Sequence, residues 1–258
     1  MTIPPAADGE AAVPTPRDAA YWAKNVSTLR LGEVPAEAFN LNVTGKRVVG
    51  PVQGFGRMWQ KTYRVELPGV DLSPAEVVAA WKSAFASFWP ATGRFYGPLT
   101  GIAPGEVALL NISVGGGVKL STGVLVLYAD EESFTFMTPQ GHMFAGWITF
   151  SADRRDEVTA AQAQVLLRAN DPLYELAMPL AIHRQEDRFW QRTLANLAGH
   201  LGVERPEVTT TVVCVDRRRQ WANAGNVWHN AGIRSAVYAL GGPLRLLGRP
   251  PRRRRAAP

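Results

Sequence analysis

Residues 172–201 carry apolar side chains at Leu173, Leu176, Leu180, Trp190, Leu194, Leu197 and Leu201. Steps of three and four place them along one stripe of a helix about eight turns long. A helix with one apolar stripe must lay it against another element, and the chain before it is rich in strand signals. Val107–Ser113, Val118–Tyr128, Ser133–Met137, Phe144–Ser151 and Val158–Ala169 are runs of β-branched and aromatic residues. Gly115-Gly116-Gly117, Ala129–Glu132, Pro139-Gln140-Gly141 and Asp153–Asp156 separate them at hairpin intervals, which predicts antiparallel neighbours. The expected fold class is α+β: a curved antiparallel sheet wrapped on one long C-terminal helix, with a small C-terminal extension.

Local signals sharpen this. From Met58, the residues Trp59, Tyr63, Val65 and Leu67 share one face of a strand, and Gln60, Thr62, Arg64 and Glu66 the other. Pro68-Gly69 stops it. Ser73, Pro74 and Glu76 form a capping box with Pro at the first helical position, predicting a helix through Val77, Val78, Trp81, Phe85 and Phe88 that Pro90 ends. Asp171-Pro172 starts the long helix in the same way, with Glu175 in its first turn. Pro179 removes a backbone donor inside it, so a kink is expected near Glu175–Met178.

The remainder of the chain is read more coarsely. Residues 1–20 have neither the basic start nor the apolar core of a signal peptide and read as a tail. No apolar run reaches bilayer length, so a cytoplasmic address is expected. The domain is placed at 21–202, with short strands or a small helix near Pro35–Leu41. An extension follows at 203–247, where Val208–Val215 reads as a strand and Asn226–Leu240 as an amphipathic helix, and 248–258 is a disordered Arg-rich tail. The single cysteine, Cys214, lies in an apolar run and reads as an inert buried thiol, which excludes disulfides and thiolate clusters within the chain. Residues 203–258 hold 11 arginines against three acids, so the net charge of +6 belongs to this quarter.

The order of strand, amphipathic helix, five or so antiparallel strands and a long C-terminal helix over 58–202 resembles the START-like helix-grip superfamily of polyketide cyclases and lipid-transfer domains. The stretch from Pro139-Gln140-Gly141-His142 through Asp171-Pro172-Leu173 is similar to an uncharacterised branch of it. Members usually carry further short helices early in the fold, where only one is clear here, and 203–258 is no part of the pattern. The resemblance implies an apolar cavity between sheet and helix that binds a small hydrophobic or lipid-like molecule. The residues expected to reach it are Trp59, Tyr63, Tyr128, Phe134, Phe136, Phe144, Ile148, Leu176, Leu180 and His183, although any one of them taken singly reads more readily as packing than as a ligand contact.

Catalytic chemistry is poorly marked. His142, His183, His200 and His229 have no metal-ligand spacing, and no cofactor motif occurs. His183, three residues after Leu180, is the histidine placed to face the cavity, although a half-exposed or satisfied helix histidine is the favoured reading, and His142 is expected to face solvent in a turn. Glu175, Glu186 and Asp187 alternate with Arg184, Arg188 and Arg192 and read as helix-surface pairs. The triple glycine lies between strands, so it is no phosphate cradle. The balance favours a binding protein. The alternatives are a cyclase- or dehydratase-type enzyme on a polyketide-like substrate in the same cavity, and binding to an anionic membrane or nucleic acid through Arg217, Arg218, Arg219, Arg252, Arg253, Arg254 and Arg255.

Overall fold

The computed structural model describes residues 19–24, 26–32, 40–113 and 119–240, with the backbone alone at Lys119, Leu180 and Ala181. The triple glycine, the Pro35–Leu41 helix apart from its last two residues, nearly all of the 1–20 tail, the 248–258 tail and the Leu180 side chain lie outside the described residues. Eight strands form one antiparallel sheet: β1 (Met58–Glu66), β2 (Gly93–Tyr96), β3 (Val107–Ser113), β4 (Lys119–Ala129), β5 (Ser133–Met137), β6 (Phe144–Arg155), β7 (Val158–Ala169) and β8 (Val208–Asp216). The order is β2-β3-β4-β5-β6-β7-β1-β8. Strands β2 to β7 are a meander, and β1 returns to pair with β7 from Met58↔Arg168 to Glu66↔Ala160. The strand expected at Val208–Val215 extends this sheet, pairing with β1 from Val65↔Val208 onward.

The capping box at Ser73 forms as the sequence requires. Ser73 Oγ accepts from Glu76 N–H at 3.3 Å, and Glu76 Oε2 accepts from Ser73 N–H at 2.8 Å. The helix it starts, α1 (Pro74–Ser83), is shorter than expected, because a separate 3₁₀ turn at Phe85–Phe88 takes over before Pro90. That tightening drives the Phe85 ring among Phe95, Phe134, Phe136 and Phe150, at centroid separations of 4.8, 5.5, 5.3 and 5.1 Å.

The long helix comes in three parts: α2 (Pro172–Ala177), one π turn at Met178–Ile182, and α3 (His183–His200). Asp171 Oδ1 accepts from Leu173 and Tyr174 N–H at 2.9 and 3.1 Å, the cap its sequence predicts. The irregularity expected from Pro179 is a wide turn inserted in the ladder. It resets the helical phase. Tyr174 and Ala177 face the sheet before it, and Ile182, Glu186, Phe189 and Trp190 after it. Leu173 and Leu176, assigned to the buried stripe by spacing, are exposed, Leu176 at 70%.

The convex face is covered by the N-terminal segment, where Leu29 and Val43 pack on Val107, Leu109 and Leu125. At the start of β4, the helix α4 (Ala231–Leu240) closes one end of the sheet, with Ala231 against Leu120 and Met143. Among the described residues no helix is long and apolar enough to cross a membrane.

Candidate functional site: a cavity under the π turn

Between the concave face and the α2–π–α3 helix lies a cavity of about 330 Å³. Strands supply Leu110, Ile112, Val124, Phe136, Ile148 and Val165, and the helix supplies Tyr174, Ala177, Ile182 and Phe189. Its size falls in the range of small-molecule sites, and its wall is mostly hydrocarbon and aromatic.

The end wall is built by parts of the chain that the sequence kept apart. The β5–β6 loop turns at Gly141, whose φ is +90°, and a Cβ there would run into the His229 carbonyl. Glycine is therefore needed twice over, for the positive φ and for the close approach. Ala231 N–H donates to Gly141 O at 2.8 Å, Asn230 Nδ2 to Asp171 Oδ2 at 2.8 Å, and Gly232 N–H to Tyr174 Oη at 2.9 Å. These three bonds dock the start of α4 between the loop and α2. Gly232 itself joins the wall. The described part of the 203–247 segment, read as an extension, thus helps to enclose the cavity.

His142 is the main departure from the sequence expectation. The turn expected to hold it in solvent buries it to 5% exposure, and it lines the cavity. Phe144 N–H donates to its Nδ1 at 3.0 Å. Burial pushes its pKa down to about 4, against a smaller opposing pull from the Phe144 backbone, so the ring is neutral.

Charge enters the wall at Glu186. Rather than pairing with arginines on the helix surface, Glu186 Oε2 and Asp187 Oδ1 each lie 2.8 Å from Lys61 Nζ, and Tyr63 Oη donates to Asp187 Oδ1 at 2.7 Å. Lys61 is 1% exposed. Burial raises the Glu186 pKa, Lys61 pulls it back down, and Asp187 adds to the rise. Glu186 Oε1 has no partner and is closed to solvent. Burial also raises the Tyr63 hydroxyl, with Glu186 and Asp187 acting in the same direction. Glu175 likewise leaves the helix surface, meeting Arg219 Nε at 3.0 Å.

Of the residues expected to reach a ligand, Phe136, Phe144 and Ile148 lie in the wall. Trp59, Tyr63 and Phe134 share the concave face but pack in solid regions of it. Tyr128 is on the opposite face. A bulge between Val126 and Tyr128 pairs it with Thr135, and its ring packs on Trp22 at 4.8 Å. Leu176 points to solvent. His183 lies edge-on to Trp59 at 5.0 Å, outside the wall, and burial followed by the Lys61 charge pushes it down to about 4. Of the arginines proposed for an anionic surface, Arg217 is exposed, Arg218 lies 3.5 Å from Asp216, Arg219 is held by Glu175, and Arg252–Arg255 lie outside the described residues. Cys214 is half-buried rather than enclosed. Among the described residues no three His, Cys, Asp or Glu side chains come together as a metal site.

Several solved structures are similar in shape. The crystal structure of Ara h 8.0201 is 14% identical, with a TM-score of 0.42 over 56% of this chain and 97% of that one. Protein Ms6760 from Mycobacterium smegmatis is 11% identical, with a TM-score of 0.40 over 57% and 92%. TTHA0849 from Thermus thermophilus is 10% identical, with a TM-score of 0.38 over 55% and 96%. No protein-family model matches the chain, and no curated protein matches it. The meander, the return of β1 beside β7 and the long helix across the concave face make this a helix-grip fold.

Proposed function

We propose that this protein binds a small, largely apolar molecule in the cavity beneath the π turn. The observation that carries this reading is the unfilled space itself. About 330 Å³ stays open under the helix, walled by side chains that gain little from facing water, while the neighbouring part of the same concave face is filled by aromatic rings. An apolar guest would remove that wall from contact with water and supply the missing dispersion contacts. His183, packed against Trp59, gives the cyclase- or dehydratase-type alternative no support.

The test is titration with N-phenyl-1-naphthylamine, a neutral dye that brightens in apolar surroundings. The full chain is expected to bind it saturably, and Ala177→Trp, which places an indole in the cavity from the helix side, is expected to abolish binding while the protein stays folded by circular dichroism. Equal binding by both proteins refutes the reading.

A further inference from the structure

The wall offers two kinds of unpartnered polar group. Trp89 Nε1 and Glu186 Oε1 are closed to solvent, so a guest meets them only after rearrangement. His142 is different. Its Nδ1 accepts the Phe144 N–H at 3.0 Å, and Nδ1 also lies 3.2 Å from the Phe144 carbonyl oxygen. A proton on Nδ1 would point into the Phe144 N–H, so in the neutral ring the proton sits on Nε2. That Nε2–H has no protein acceptor among the described residues and is not among the sealed atoms. The Phe144 N–H bond to Nδ1 holds the ring, and the turn that carries it is tied down. His142 N–H donates to Pro139 O at 3.1 Å, and Gln140 N–H to Arg47 O at 2.7 Å.

Tyr174 stands at the same end of the cavity. Its Oη accepts from Gly232 N–H at 2.9 Å, one residue beyond the Ala231–Gly141 bond that anchors the His142 loop. Among the described residues its own proton has no acceptor. Burial raises its pKa, so the proton stays on the oxygen. Two donors therefore stand in the wall of a largely apolar space, tied to one another through the Gly141–Ala231 and Tyr174–Gly232 bonds. One neutral oxygen with two lone pairs is complementary to this pair of donors.

We propose that the guest carries a neutral oxygen acceptor of the carbonyl or ether type, and that this oxygen docks on His142 Nε2–H with Tyr174 Oη–H as its second donor. This deepens the cavity reading and rests on it.

Two probes of nearly the same shape test it: 2-acetylnaphthalene, which has a carbonyl, and 2-isopropenylnaphthalene, in which a methylene replaces that oxygen. The wild-type chain is expected to prefer the ketone by about tenfold, the worth of one well-made hydrogen bond. The carbonyl stretch of the bound ketone, read by infrared difference spectroscopy, is expected to move to lower frequency than in hexane. His142→Phe is expected to lose both the preference and the stretch shift while still binding the hydrocarbon, which also shows that it is folded. Tyr174→Phe is expected to reduce the shift in part. If wild-type protein binds both probes equally and the carbonyl absorbs as in hexane, the docking of an oxygen is overturned and the cavity reading stands. If neither probe binds, both fall. Should His142→Phe fail to fold, the wild-type preference, the stretch and the Tyr174 variant still decide.

Discussion

The two halves of the concave face are built from one sheet and end differently. Under α1, Trp81 meets Phe134 and Phe150 at 6.0 and 5.1 Å, and Phe85 plugs the space between the rings of four other phenylalanines. Under the α2–π–α3 helix, Ala177 and Ile182 lie at the π turn between the rings of Tyr174 and Phe189, and a cavity remains. Phe136 belongs to both regions. The difference lies in the size of the side chains the covering element presents. Indole and phenyl rings from α1 and the 3₁₀ turn reach the sheet and interdigitate, while at the π turn Ala177 and Ile182 leave a gap between the larger rings on either side. On the proposed reading, stability and binding are divided across one sheet.

Substitutions in the filled half are the largest way to break this comparison. Trp81→Ala removes a fully buried indole from rings that cannot close behind it, and chemical denaturation is expected to report a loss of about 4 kcal/mol. Lys61→Ala comes next. It leaves Glu186 buried beside Asp187 with no cation between them, and a loss of about 3 kcal/mol is expected. Lys61→Ala together with Glu186→Leu should recover part of that loss, because the uncompensated buried charge is then gone. Ile148→Ala in the hollow half is expected to cost less, about 2 kcal/mol, since one side of the isoleucine already faces open space.

Acidification separates the buried histidines from the rest. His142 and His183 have folded-state pKa values of about 4, below the 6.5 of an unperturbed ring. Between these values the unfolded chain takes up protons that the folded chain refuses. Their contribution is therefore whole above pH 6.5 and falls away as the pH drops toward about 4. Glu186, whose pKa is raised, runs the other way, contributing stability that is lost as the pH rises through its folded value. Comparing wild type with His142→Phe isolates one histidine. The variant is expected to lose less stability than wild type as the pH falls from about 6.5 to about 4.5, and parallel curves would remove His142 from the account.

Much of the scaffold was legible in the residues because local rules govern it. The Ser73 and Asp171 caps, the strand alternation and the hairpin spacings all have short-range causes, and Phe136, Phe144 and Ile148 reach the cavity by alternation alone. Two misplacements share a different cause, a one-residue insertion that shifts the period. The β4 bulge carries Tyr128 to the convex face, and the π turn carries Leu176 into solvent. Neither leaves a pattern in the sequence beyond Pro179. Lys61 did leave one. It falls in the same parity as Trp59 and Tyr63, so alternation buries it, and a buried lysine demands a carboxylate from the element above. Followed through, that signal points away from a solvent-facing Glu186. His142 had no comparable signal, because its burial depends on α4 docking onto a loop about 90 residues earlier through bonds to Gly141 and Tyr174.

The smallest expected effect is the sharpest test of the hollow–solid distinction, since it asks what an added methylene or two meets. Ala163 in β7 faces the filled part of the concave side with no exposure, and Ala177 in α2 faces the cavity. Ala163→Leu must push rings out of their rotamers, and a loss of about 2 kcal/mol is expected. Ala177→Leu grows into open volume and keeps a good helix former in place, so its stability should lie within about 0.5 kcal/mol of wild type. Its affinity for N-phenyl-1-naphthylamine should still fall, because the new side chain occupies part of the space the dye needs. Equal losses at the two positions would mean that the helix settles onto the sheet in solution and that the space beneath it is not held open.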